Sequence, residues 1–94
     1  MAKKSKYLKV TFPDSETFCY RSPKHTVIAV LAKIGSDRFH EIKLEIRKHP
    51  LVSQEIYTEL KEYTDEICPN WYYISQTDTD EKFAQLIQIN KQLN

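Results

Sequence analysis

Ser22-Pro23-Lys24-His25-Thr26-Val27-Ile28-Ala29-Val30-Leu31-Ala32-Lys33-Ile34-Gly35 is the stretch whose reading decides the fold. Serine is a good helix N-cap, and proline suits the first helical position, where its missing N–H and fixed φ do no harm. Val27, Leu31 and Ile34 fall at i, i+4 and i+7, with Ile28 and Val30 beside them, so one face is built to pack on a sheet. Gly35 follows at the point where a left-handed residue closes a helix. The spacing therefore predicts a helix from residue 23 to residue 34.

Upstream, Leu8, Val10 and Phe12 alternate with Tyr7, Lys9 and Thr11, the period of a half-buried strand. Pro13-Asp14-Ser15-Glu16 is turn chemistry, and residues 17–20 can pair back as the second strand of a hairpin. Residues 1–6 read as a flexible basic arm and residues 7–94 as one α+β domain. Downstream, Ile42, Leu44 and Ile46 alternate with Glu41, Lys43, Glu45 and Arg47 as a strand that Pro50 ends. Ser53 can cap a second helix in which Ile56, Leu60, Tyr63 and Ile67 stand at helical spacing. Pro69-Asn70 breaks it, residues 71–75 read as a last strand, and Thr77 or Thr79 caps a closing helix that buries Phe83, Leu86, Ile87, Asn90 and Leu93. The predicted order is ββαβαβα: a small mixed sheet opening with a β-hairpin, with helices packed on one face.

Composition narrows the class. The chain has 94 residues, 40% of them hydrophobic and 29% charged, which is room for one modest core. No apolar run reaches the roughly 18 to 20 residues that span a bilayer, and the lysine-rich start leads into a strand pattern rather than a signal sequence, so the expectation is a cytoplasmic protein without membrane contact. A single glycine excludes glycine-rich phosphate loops. Cys19 and Cys68 are far apart and read as small buried residues with free thiols.

The net charge of +1 conceals an imbalance: residues 1–50 hold 11 Lys and Arg against 5 Asp and Glu, and residues 51–94 hold 3 against 8. A basic half can meet a polyanion, and two opposite halves can equally attract each other across the fold or between copies.

Lys9-Val10-Thr11-Phe12-Pro13-Asp14, Ile34-Gly35, Pro50-Leu51-Val52-Ser53 and Trp71-Tyr72 with Thr77, Thr79 and Lys82 together resemble a family of small uncharacterised bacterial α+β proteins. The likeness spans most of the chain and consists of structural punctuation. It implies one domain and no particular activity. Where that pattern carries a glycine after the hairpin aspartate this chain has Ser15, and where it carries one before the tryptophan this chain has Asn70, both at home in turns.

Chemistry is sparse. Glu41 and Lys43 on one strand face, completed by Asp37 or Asp14, would form a metal-dependent nuclease site, whereas the simpler reading is a solvated strand face. His25, His40 and His49 match no zinc spacing, no serine or cysteine sits in an activating context, and no metal, cofactor or catalytic residue is assigned. Trp71 and Tyr73 are the binding candidates, because residues that alternate across a strand should leave a ring at the surface, where it can pack in the edge of the core, meet a protein or stack on a base. The basic candidates are Lys3, Lys4, Lys6 and Lys9 on the arm and Arg21, Lys24, Arg47 and Lys48 at element ends. The reading that follows is a non-enzymatic binding module acting mainly through contacts with an unknown protein partner or a second copy. The alternative is a nucleic-acid-binding accessory protein using the basic arm and the aromatic strand.

Overall fold

The helix set by Ser22-Pro23 forms as its chemistry requires. A computed structural model describes residues 7–93, and in it α1 runs Pro23–Ile34 with Thr26, Val27, Val30 and Leu31 buried. The Ser22 carbonyl accepts from the Thr26 N–H at 3.2 Å, while the Ser22 hydroxyl makes no capping bond. Gly35 ends the helix at φ 93° and ψ 145°, with its N–H on the Leu31 carbonyl at 3.1 Å. That φ is positive as expected, but the extended ψ places it in a region essentially restricted to glycine rather than in the left-handed helical well.

The opening hairpin also forms. Strand β1 (Val10–Thr11) pairs antiparallel with β2 (Thr17–Phe18), Val10 opposite Phe18 and Thr11 opposite Thr17. Asp14 accepts the Glu16 N–H at 3.0 Å, an Asx turn, and Ser15 takes the positive φ of 74°. Thr26 of α1 is fully buried, and its hydroxyl accepts the Tyr20 N–H at 2.9 Å, fastening the exit of the hairpin to the helix.

The middle of the chain departs from the predicted pattern. Residues 36–41 form a 3-10 helix that buries Phe39, and the expected strand over 41–47 is reduced to β3 (Glu45–Ile46). Pro50 does not end that strand but lies on its partner β4 (His49–Pro50), an edge position that needs no proline N–H. The expected second helix over 53–67 does not form. That stretch contains β5 (Val52–Ser53), a 3-10 helix at Thr58–Tyr63, and β6 (Thr64–Cys68). Pro69-Asn70 is the tip of a hairpin from β6 to β7 (Trp71–Ile74), with Asn70 at φ 69°; proline followed by a residue of positive φ is the pair that a type II turn takes.

Among the described residues the sheets are three and small, all antiparallel, in place of one mixed sheet: β1-β2, β3-β4, and a three-stranded sheet of order β5-β7-β6. The closing helix α2 (Thr79–Leu93) is capped by Asp78, whose carboxylate accepts the Glu81 N–H at 2.7 Å, rather than by Thr77 or Thr79. The fold is α+β. Its core joins Leu8, Val27, Leu31, Phe39, Ile42, Leu51, Val52, Tyr73 and Ile89, and α1 packs against both β6 and α2. No helix among the described residues is long and apolar enough to cross a membrane.

Candidate functional site

The closing helix buries a different face from the one expected. Lys82, Leu86, Ile89 and Leu93, at i, i+4, i+7 and i+11, point inward, whereas Phe83 is 57% exposed, Ile87 41% exposed, and Asn90 lies at the surface. Phe83 and Ile87 border a groove of about 680 Å³ between the hairpin and α2. Its hairpin wall comes from Val10 and Phe12, and its floor from Val30 and Ile34 of α1 with Leu86 and Ile89 of α2. Isolated exposed apolar side chains are ordinary, but here two large ones stand together beside the groove.

Four cations line the groove: Lys9, Lys33, Arg38 and Lys91. Two of them are matched inside the chain. The Lys33 ammonium bonds Asp14 at 2.8 Å and Glu16 at 2.5 Å and lies 5.1 Å from the centre of the Phe12 ring, so it clamps the hairpin turn to α1. These bonds raise the Lys33 pKa and hold the Asp14 carboxyl below its ordinary range. Arg38 forms a two-pronged pair with Glu41 at 2.9 and 3.1 Å, lowering the pKa of that carboxyl, and also donates to the Leu93 carbonyl.

Of the two aromatic candidates on the strand, Trp71 stays partly exposed and Tyr73 is fully buried. Trp71 and Tyr73 share a face of β7, and that face looks into the core. Trp71 is half-buried edge-on against Phe39, ring centres 5.1 Å apart, and Tyr73 has 0% exposure. The Tyr73 ring, with no exposed surface, cannot stack on a base. The Tyr73 hydroxyl is buried without a hydrogen-bond partner among the described residues, and burial holds its pKa well above the ordinary tyrosine value. The exposed rings are instead Tyr7, Tyr20, Tyr63 and Phe83.

The basic candidates are dispersed. Lys3, Lys4 and Lys6 of the expected arm lie outside the described residues. Lys9 is exposed at the groove, Lys24 stands 3.5 Å from Asp65, and Arg47 and Lys48 form the tip between β3 and β4. Arg21 shares a shallow depression with Tyr7, Tyr20 and Cys19. Cys19 is exposed, which corrects the expectation of a buried thiol, because β2 ends at Phe18 and the next residues pass over the surface; Cys68 is half-buried, and both are free.

The nuclease arrangement loses its premise, since Glu41 closes the 3-10 helix and bonds Arg38, so Glu41 and Lys43 do not share a strand. His49 stacks on Tyr57 and bonds Glu59; the carboxyl of Glu59 is held low by its own backbone N–H and by this ring. Among the described residues no three His, Cys, Asp or Glu side chains cluster closely enough to hold a metal ion.

Sequence reasoning missed Lys82. It is 5% exposed, and its ammonium donates to the Ser75 carbonyl at 3.1 Å, to the Thr77 carbonyl at 2.5 Å and to the Thr77 hydroxyl at 3.0 Å. Burial lowers its pKa. Three acceptors for three N–H donors explain how a lysine is tolerated there, and they pin the link between β7 and α2. Its spacing with Leu86, Ile89 and Leu93 was the available signal, obscured because lysine reads as a surface residue.

No protein-family model matches this chain, and neither the curated proteins nor the solved structures supply a match.

Proposed function

We propose that the protein is a non-enzymatic binding module acting mainly through protein contacts, with the groove between the hairpin and α2 as its recognition surface. The observation that carries this reading is the pair Phe83 and Ile87, two large apolar side chains standing in solvent beside that groove. Burying such side chains is the main favourable term in protein association. The hairpin wall is held in place by Lys33, so the surface exists before a partner arrives and loses little entropy on binding.

A photoreactive side chain at the exposed position Ala84 tests this inside the cell of origin. Protein adducts should form from Ala84 and not from the exposed control position Gln54. Adducts at neither position, or at both equally, would remove the groove from consideration.

A second reading is supported by the depression where Tyr7 and Tyr20 lie exposed beside Arg21, a ring-and-cation arrangement that can hold a single-stranded base against its phosphate. Titration with single- and double-stranded oligonucleotides separates the two readings. Phosphate contacts release counterions, so saturable binding that weakens steeply with salt favours nucleic acid, and no binding at low salt favours protein contacts.

A further inference from the structure

We propose that the tip of the β3–β4 hairpin, Arg47-Lys48, is a contact site for the phosphodiester backbone of a nucleic acid. The proposal goes beyond the protein-contact reading, rests on the second reading above, and adds a surface that the depression at Arg21 does not include.

The tip breaks a local rule. Ile46 and His49 stand opposite each other, so the loop has two residues, and both take a positive φ, 50° at Arg47 and 69° at Lys48. Asn-Gly adopts that backbone readily, whereas two consecutive residues with Cβ atoms are strained in it. The surroundings hold the turn in place. At its base the His49 ring stacks on Tyr57, centres 3.9 Å apart, and bonds Glu59 at 2.5 Å. The Leu51 N–H donates to the Leu44 carbonyl at 2.9 Å, and Ile46 packs on the core. Strain that neighbouring contacts keep in place concentrates where side chains serve binding.

The side chains presented there are two cations, both exposed. Lys24, Lys33 and Arg38 each face a carboxylate, but neither Arg47 nor Lys48 forms an ion pair among the described residues. Glu45, the acid of the same hairpin, stands opposite Pro50 and pairs with neither, and Glu59 is taken by His49. Two adjacent positive charges without an internal counter-ion attract an anion from outside. A guanidinium presents a fork of N–H donors that matches phosphate oxygens, and the neighbouring ammonium adds a point charge. The hairpin has no exposed ring to stack on a base and no amide side chain to read a base edge. Contact through this tip is therefore to the backbone and independent of base sequence.

Fluorescence anisotropy of labelled single- and double-stranded oligonucleotides, titrated with the full chain across a range of salt, reads the outcome. The wild type should bind with an affinity that falls as salt rises, and equally for unrelated sequences. Arg47→Gln and Lys48→Gln should each make the salt slope shallower by about 1, the loss of one phosphate contact. Lys91→Gln, which removes the same charge from an exposed position outside the hairpin, should keep the wild-type slope. Arg47→Asn with Lys48→Gly should lose both contacts and yet melt higher than the wild type, so weaker binding cannot be laid to a damaged fold. A slope unchanged in the tip variants, or lowered as much by Lys91→Gln, overturns the tip and leaves the nucleic-acid reading to Tyr7, Tyr20 and Arg21. Competition by polyglutamate as strong as by unlabelled oligonucleotide overturns the phosphate assignment. A wild type that binds no oligonucleotide at low salt overturns the tip and the nucleic-acid reading together.

Discussion

Lys33 Nζ lies 2.8 Å from Asp14 Oδ2, a bond across 19 residues that ties the turn of the first hairpin to the last turn of α1. The Asp14 pKa is lowered from 3.8 chiefly by this bond, so the contribution of the carboxylate is present above 3.8 and is lost as pH falls through its folded value. The Lys33 pKa is raised above 10.5, so its contribution is present below 10.5 and is lost as pH rises through its folded value. In Lys33→Met the Asp14 carboxyl should titrate upward toward 3.8 by carbon-detected NMR, and the amides of residues 12 and 14–17 should exchange faster. An unmoved Asp14 titration would show that the clamp does not persist in solution.

Tyr73→Phe should leave stability unchanged or raise it by up to about 1 kcal/mol in urea denaturation, because it keeps the ring and removes a buried hydroxyl that has no well-formed hydrogen bond among the described residues. Tyr73→Ala should cost about 3–5 kcal/mol, since the ring fills the centre of the core. The wild type should also lose stability as pH rises above 10.0, where the unfolded tyrosine ionises and the folded one does not; Tyr73→Phe should flatten that loss.

Lys82→Met should destabilise the fold by about 1–3 kcal/mol, because the Ser75 and Thr77 carbonyls lose their donor in a buried setting. The pH dependence runs opposite to that of Tyr73. Burial lowers the folded Lys82 pKa below 10.5, so between the two values the unfolded chain holds more protons and stability rises with pH. Comparing alkaline stability curves of Tyr73→Phe with and without Lys82→Met isolates that rise, which should disappear in the double variant.

Arg47 and Lys48 form the two-residue tip between β3 and β4, with φ of 50° and 69°. Left-handed backbone at two consecutive residues with Cβ atoms is strained, and turns of this kind prefer Asn-Gly. Replacing the pair by Arg47→Asn with Lys48→Gly should raise stability by about 1–2 kcal/mol in thermal melts. A drop would mean that the long basic side chains hold the turn through contacts of their own.

What could be read in the sequence was local. Ser22-Pro23 and Gly35 bracket α1 with signals acting over one turn, Asp14 shapes the first hairpin within four residues, and residues 71–74 carry their own strand pattern. What could not be read depended on distant partners. Ile56, Leu60, Tyr63 and Ile67 keep helical spacing, yet residues 64–68 become a strand because Thr64, Asp65 and Glu66 find Ile74, Tyr73 and Tyr72 across the Pro69-Asn70 turn. Leu44 and Ile46 alternate correctly, but their strand is only as long as the two-residue partner at His49–Pro50 allows. The exposed apolar side chains were misplaced for the same reason. Strand alternation puts Trp71 and Tyr73 on one face without saying which face is covered, and the apolar residues of α2 permit two phases. The acceptors at Ser75 and Thr77 take Lys82 inward, which turns Phe83 and Ile87 out to solvent.

The strand order β5-β7-β6 has a consequence for how the chain is made. The central strand is the last of the three to leave the ribosome, so during synthesis β5 and β6 emerge with no neighbour to pair with, and Val52, Leu60 and Ile67 wait in water until residues 71–74 arrive. Folding of this sheet is therefore deferred until late in translation, and a messenger truncated before codon 71 would yield a polypeptide with open strand edges, a substrate for chaperones and proteases.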